Sequence, residues 1–268
     1  MSWVRWWAAA VLLEVIDLTR RFGGLAALSE VSFEVASGEI LGIFGPNGSG
    51  KTTLLNVISG IFAPSAGTIR WKGHPIEGRK PHHIAAAGIV KTFQNPQLFL
   101  ELSIHENVAI ASHLRLKRQF GARRFAELLP WRSAARHPEI SARIDHVLAL
   151  CRLDDVRDQL AASLSYGQEK MLGVAMAMMC EPELLLLDEP ASGLGEDEIG
   201  NLEAVLRDLR TAATTLCIID HKVDFLGRIA DRAIALQQGT KIAEGTPDAV
   251  LRDPRVVEAY LGRQHARA

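Results

Sequence analysis

Eight consecutive residues, Gly45-Pro46-Asn47-Gly48-Ser49-Gly50-Lys51-Thr52, have the spacing G-x-x-x-x-G-K-T. Glycines let successive backbone N–H groups turn inward around a polyphosphate, and Lys51 is long enough to reach its outer phosphates. The Thr52 hydroxyl suits a divalent cation, and Thr53 opens a helical pattern whose dipole favours the same anion. Farther along, Leu184-Leu185-Leu186-Leu187-Asp188-Glu189 ends an aliphatic run in two carboxylates. Asp188 is placed to hold Mg2+, and Glu189 to orient or deprotonate a water. Gln94 and His221 each follow a run that reads as a strand, so each stands where it can reach the same phosphates. A further polar stretch, Leu164-Ser165-Tyr166-Gly167-Gln168, looks like a helix start. It is a second anion site in a chain that already has one.

Those groups serve one reaction only if a scaffold brings them together. Ile40–Phe44 and Leu184–Leu187 are short and aliphatic, the mark of parallel strands buried on both faces. Strands are also expected at Leu12–Thr19, Val31–Val35, Ile69–Trp71, Ile89–Phe93, Thr214–Ile219, Ala233–Leu236 and Lys241–Glu244. Lys72-Gly73 and Gln238-Gly239 are hairpin turns, and Phe22-Gly23-Gly24 and Ser65-Ala66-Gly67-Thr68 read as small-residue turns. Helices are expected at Thr53–Ser59, Glu169–Met179, Ile199–Arg210 and Phe225–Ala230, with a helical tail at Pro247–Gly262. Between about Ser103 and Ala162 the period is helical throughout: Ile104–His113, Phe125–Leu129 and Ile140–Leu150. Inside that segment His113–Arg136 holds seven Lys/Arg against Glu127 alone, which reads as solvated helix faces with snorkelling side chains. The fold class is α/β.

The 268 residues carry a formal charge of −1, so the totals do not point to nucleic acid as a partner. Cys151, Cys180 and Cys217 are far apart and form no metal-binding spacing. No apolar run approaches the ~20 residues needed to span a bilayer. The opening MSWVRWWAAAVLLEV has one Arg and a short apolar run that stops at Glu14 without a clear cleavage site. It reads as an irregular leader before the first strand.

Taken in order, Gly45–Thr52, Gln94, Leu164–Gln168, Leu184–Glu189 and His221 resemble the Walker A, Q-loop, signature, Walker B and H-loop of an ABC ATPase. The likeness runs from about Leu12 to Gly262, and LSxGQ just upstream of the Walker B strand is its most discriminating part. It implies a P-loop NTPase (RecA-like) core at 12–97 and 165–240 that carries an antiparallel β subdomain. An α-helical subdomain would be inserted at 98–164, and 241–268 would be a C-terminal helical tail. ATP and Mg2+ are implied as ligands. Gly45, Pro46, Asn47, Gly48, Ser49, Gly50, Lys51, Thr52 and Thr53 would wrap the phosphates, with adenine stacked on Phe22. Thr52, Gln94 and Asp188 would face the metal, and Glu189, His221, Gln94 and Lys51 would act in hydrolysis. Ser165, Gly167 and Gln168 would close on the ATP held by a second ABC ATPase subunit, so one set of motifs implies a homo- or heterodimer.

FGGLAAL, GPNGSGKTTLLNVISG, TFQNPQLF, ENVAIA and DPRVVEAYLG are similar to the ATP-binding subunits of branched-chain amino acid importers; urea and short-chain amide importers share this look. The resemblance implies ATP-driven uptake of branched-chain or other hydrophobic amino acids. It further implies a membrane permease, a periplasmic solute-binding protein, a peripheral place on the cytoplasmic face of the inner membrane, and no nucleic acid. The chain departs from the pattern in places. EKMLGVAMAMM replaces a basic run, Gly195 stands where the family often has Asn or Asp, and Asp220 and Lys222 flank the His in place of Glu and Asp. None removes a catalytic side chain, so hydrolysis is expected. A DNA-maintenance ATPase would need long coiled coils, whereas about seventy residues without heptads separate Gln94 from Ser165. A non-hydrolysing scaffold would not need Lys51, Asp188, Glu189 and His221 together.

Overall fold

The computed structural model describes residues 10–112 and 138–261. The expected helix at Phe125–Leu129, the basic stretch 113–136 and the Trp-rich start lie outside the described residues. Aliphatic runs form the spine: β3 (Ile40–Phe44), β7 (Leu184–Asp188) and β8 (Thr215–Ile219) are buried at every position. They join β6 (Ile89–Lys91), β9 (Arg232–Gln237) and β10 (Thr240–Gly245) in a six-stranded sheet of order β10-β9-β3-β8-β7-β6. All neighbours are parallel except β10 with β9. Alternation along each strand divides the side chains between two cores. Ile40, Phe44, Leu185, Leu187, Leu216 and Ile218 enter one, and Leu41, Ile43, Leu184, Leu186, Cys217 and Ile219 the other. Full burial of each leucine contributes roughly 2 kcal/mol, so the site edge rests on the most apolar part of the chain.

The second core is closed by an antiparallel sheet and two short helices. β1 (Val11–Phe22), β2 (Leu25–Ala36), β4 (Ala66–Trp71) and β5 (His74–Pro75) lie in the order β2-β1-β4-β5. The helices are α1 (Lys51–Ile58) and α2 (Pro81–Ala86). The first core is covered by α3 (Ile104–Ala111), α4 (Pro138–Leu150), α5 (Tyr166–Met178), α6 (Glu196–Thr211), α7 (Val223–Ile229), α8 (Pro247–Leu251) and α9 (Pro254–Leu261). In the inserted segment Ser103 and Glu106 form a reciprocal capping box at the start of α3. Asn107, fully buried, takes the Phe99 N–H and returns hydrogen bonds to the carbonyls of Phe99 and Ser103.

Both hairpin turns have two consecutive positive φ values, 50° and 77° at Lys72-Gly73 and 48° and 81° at Gln238-Gly239, as the tight turn requires. Three expectations change and one helix is added. Ser65–Thr68 is not a turn: Ala66 already pairs with Thr19, and a bulge in β1 between Ile16 and Thr19 absorbs the irregularity. The helix α2, opened by Pro81, is too short for its period to show. The tail is two helices split at Asp253-Pro254, because proline cannot continue a helix but starts one well. The strand expected at Lys241–Glu244 is the edge strand Thr240–Gly245, so the tail implied at 241–268 is helical only from Pro247.

Candidate functional site

Parallel strands put their carboxyl ends on one edge, the place where open α/β sheets hold ligands. β3 delivers Gly45, β7 delivers Asp188 and Glu189, β8 leads to Asp220 and His221, and β6 leads to Gln94. The phosphate loop ends at Gly50, which caps α1 with φ 103° and supplies no side chain of its own to the helix N-terminus. Lys51 is buried, and its ammonium donates to the carbonyls of Gly45 (2.8 Å) and Pro46 (3.1 Å). Gly239 closes over the loop, donating its N–H to the Ser49 carbonyl at 2.9 Å.

A cavity of about 870 Å3 opens here, lined by Asn47, Gly48, Gly50, Lys51, Thr52 and Thr53, with Glu189 on one side and Phe22 and Leu25 on the other. Phe22 is 40% exposed. Its ring meets Phe62 edge-on at 5.2 Å, and the Arg20 guanidinium lies 4.4 Å from its centroid. Arg20 is in turn anchored on the Ala63 carbonyl.

The carboxylates have distinct partners. Asp188 accepts from the Thr52 hydroxyl at 3.2 Å through one oxygen and pairs with Lys91 at 3.1 Å through the other. Hydroxyl plus carboxylate is the hard-oxygen donor set that Mg2+ prefers, so the residues fit that ion. Glu189 accepts from the Gln94 amide at 2.8 Å, and His221 Nδ1 lies 3.9 Å from the same carboxylate oxygen. Its backbone sits at φ 51°, a sparsely populated conformation for a side chain of this size and one that clusters at functional sites. The Ile219 carbonyl accepts the Glu189 N–H and steadies that conformation.

Lys91 was not foreseen. Its ammonium and Asp188 are 7% and 5% exposed, and a buried pair broken on one side leaves an uncompensated charge. Lys91→Met should therefore cost about 3 kcal/mol in urea unfolding, while Lys91→Arg should stay near the parent. A loss under about 1 kcal/mol would show that water already reaches Asp188.

The Leu164–Gln168 stretch lies on a different cavity, of about 510 Å3, shared by Ser165, Gly167, Gln168, Glu198 and Asn201. Ser165 caps α5: its hydroxyl accepts from the Gln168 N–H, and the Gln168 side chain accepts from the Ser165 N–H. Gly167 lies against Glu198: a Cβ there would stand 2.4 Å from its carboxylate oxygen, so that side chain would have to swing aside. The structure thus brings Lys51, Thr52, Asp188, Glu189, Gln94 and His221 to one edge, and leaves Ser165, Gly167 and Gln168 facing another cavity.

The departures in the sequence turn out to brace the 191–195 loop. Buried Asp220 accepts the Ala191 N–H at 2.9 Å, and the Lys222 ammonium donates to the Leu194 carbonyl at 2.8 Å. Gly195 has no side chain to cap α6, and Glu198 reaches back to its N–H at 3.0 Å instead. Lys170, on α5, hydrogen-bonds the Gln94 carbonyl, and Pro96 sits over Gly173 of the same helix. The forewarning of these contacts was the unusual residue types at 195, 220 and 222 and in the stretch 169–179.

A family model described as ABC transporter matches residues 28–192. A second, described as branched-chain amino acid ATP-binding cassette transporter, matches residues 240–266. The chain is 38% identical over 252 residues to the high-affinity branched-chain amino acid transport ATP-binding protein BraF of Pseudomonas aeruginosa, covering 94% of this chain and 98% of that one. It is equally 38% identical over 253 residues to LivG of Escherichia coli, a protein of the same description, with the same coverage. Among solved structures, the ADP conformation of MJ1267, an ATP-binding cassette of an ABC transporter, superposes with a TM-score of 0.83 at 30% identity, covering 94% of this chain and 99% of that one. The motif order, the shared sheet edge and these full-length likenesses agree: the chain belongs to the ABC transporter ATP-binding proteins, in the branch of the branched-chain amino acid transport subunits.

Proposed function

We propose that this chain hydrolyses ATP to drive uptake of branched-chain or other hydrophobic amino acids through a separate membrane permease, from the cytoplasmic face of the membrane. The observation that carries the hydrolytic half is the meeting of Glu189, Gln94 and His221 beside the phosphate loop. Lys51 would leave the loop carbonyls for the outer phosphates. Glu189, aimed by Gln94, would accept a proton from the attacking water, and His221 would steady the γ-phosphate. Thr52 and Asp188 would hold Mg2+, which when bound neutralises phosphate charge. The adenine would rest on Phe22.

Ser165 and Gly167 point to a second subunit, because they line a cavity apart from their own chain's phosphate loop. Packed head to tail, each subunit would offer α5's N-terminus to the ATP of the other. The permease contact is supported by exposed large apolar side chains: Phe93, next to Gln94 in the chain, and Phe99, Leu100 and Leu160, where the Ala162–Leu100 hydrogen bond and the Ser103–Leu160 bridge bring the two ends of the inserted segment together. Lys170 and the Pro96–Gly173 contact tie that region to α5, so a push there reaches both Gln94 and Ser165. Three parts then share the work: the sheet core binds nucleotide, the inserted helices 98–164 face the permease, and the tail buttresses the core. A periplasmic binding protein would select the cargo.

The cargo half rests on the full-length likeness to the branched-chain relatives. To test it, the tagged chain is co-purified with its membrane partners from gently solubilised membranes and reconstituted with the binding protein. ATPase should rise several-fold with leucine, isoleucine or valine. Stimulation by urea or short amides alone would move the cargo, and absence of any membrane partner would sink the transport reading.

A further inference from the structure

The C-terminal helix α9 touches the phosphate loop at its first residue. The Tyr260 hydroxyl accepts the Gly45 N–H at 2.9 Å, across 215 positions of sequence. The carbonyl of the same residue accepts from the Lys51 ammonium at 2.8 Å. Both polar groups of Gly45 are therefore fixed, one by the tail and one by the lysine that reads the phosphates. Gly45 needs outside support: at φ 146° it occupies backbone space that other residues rarely enter, and it has no side chain to anchor it.

The tail is itself well held. Val256 and Ala259 are 2% and 6% exposed, and Val256 belongs to the large core. The Asp253 carboxylate and carbonyl tie down the first turn of α9 through Arg255, Val256 and Val257. Tyr260 itself packs, partly buried, against the same core, so packing helps to place its ring beside the hydrogen bond. Burial raises the Tyr260 pKa above its ordinary value, and the neutral phenol oxygen has lone pairs to accept from the amide. The second matched family segment, residues 240–266, contains this tyrosine.

We propose that Tyr260 is a positioning residue for ATP: its hydroxyl sets the first turn of the phosphate loop, so nucleotide affinity depends on the docked tail. The physical basis is preorganisation. Lys51 must exchange the Gly45 and Pro46 carbonyls for phosphate oxygens, and a loop already held in shape loses less freedom in doing so. One neutral hydrogen bond is worth about fivefold in affinity. The inference rests on the reading that this loop binds ATP.

The test uses the full-length chain and the fluorescent probe MANT-ATP. Tyr260→Phe keeps the ring and removes only the hydroxyl. It should weaken MANT-ATP binding about three- to tenfold and raise the KM for ATP by a like factor, with kcat within about twofold, the pattern of lost ground-state binding. The Gly45 amide resonance should shift and exchange faster, while the melting temperature stays within about 2 °C. Val257→Ala, on the exposed side of α9, changes the helix but leaves the hydroxyl in place and should bind like the parent. The proposal falls if Tyr260→Phe binds within 1.5-fold of the parent, or if Val257→Ala weakens binding equally. Failure of the parent chain to bind MANT-ATP would overturn the ATP reading itself; loss of binding in Lys51→Ala but not in Tyr260→Phe would overturn this inference alone.

Discussion

Glu189→Gln should lower the ATPase turnover about 1,000-fold, within the range general-base removal produces, while ATP still binds. The amide is the same size as the carboxylate and can keep a hydrogen bond to Gln94, which stands at 2.8 Å. Only the ability to accept the water's proton is lost. The Asp188 contacts to Thr52 and Lys91 stay in place, so the phosphate site is untouched. With chemistry blocked, the ATP-bound form should accumulate and two subunits should stay paired long enough to run as a dimer in sedimentation. Single-turnover kinetics with MANT-ATP as the binding readout checks this. An unchanged rate would mean that Glu189 is not the base and would favour a scaffold that binds ATP without consuming it.

Gly45→Ala should do comparable harm by another route. A Cβ at this residue would stand 2.3 Å from the Leu236 carbonyl and 2.6 Å from the Ser49 hydroxyl. The first obstacle is backbone of a buried strand and cannot swing aside. The loop must shift or change its φ from 146°, at a cost of about 3 kcal/mol. A displacement of about 1 Å at a phosphate site is enough to cost roughly 100-fold in activity. We expect a lower urea midpoint together with near-complete loss of MANT-ATP binding. Parent-like binding would show that the loop adapts far more freely than its contacts allow.

How much of this was legible beforehand depended on range. The phosphate loop, the Asp188-Glu189 pair and the capping role of Ser165 are local, so their spacing carried them. The shared edge was legible too, because aliphatic runs such as Leu184–Leu187 fit only a sheet buried on both faces. What was hidden lies in contacts between distant residues. Lys91 beside Asp188, Lys170 on the Gln94 carbonyl and Tyr260 on Gly45 have no local pattern that announces them. Lys222 stood out only as a departure, and its reach to Leu194 shows what it does. The resemblance singled out Phe22, which lines the phosphate-loop cavity, but not Arg20 and Phe62, which pack against its ring. The turn expected at Ser65–Thr68 failed because a bulge in another strand decides that geometry.

ATP hydrolysis at this edge should move amino acids across a membrane. This is tested most directly in proteoliposomes holding the purified complex, with ATP on the side of this subunit and labelled leucine and binding protein on the other. Leucine uptake should require ATP and fall to background when Glu189→Gln replaces the parent chain. Leucine uptake that proceeds equally with the variant, or no uptake while ATP is hydrolysed and urea is carried instead, would contradict this.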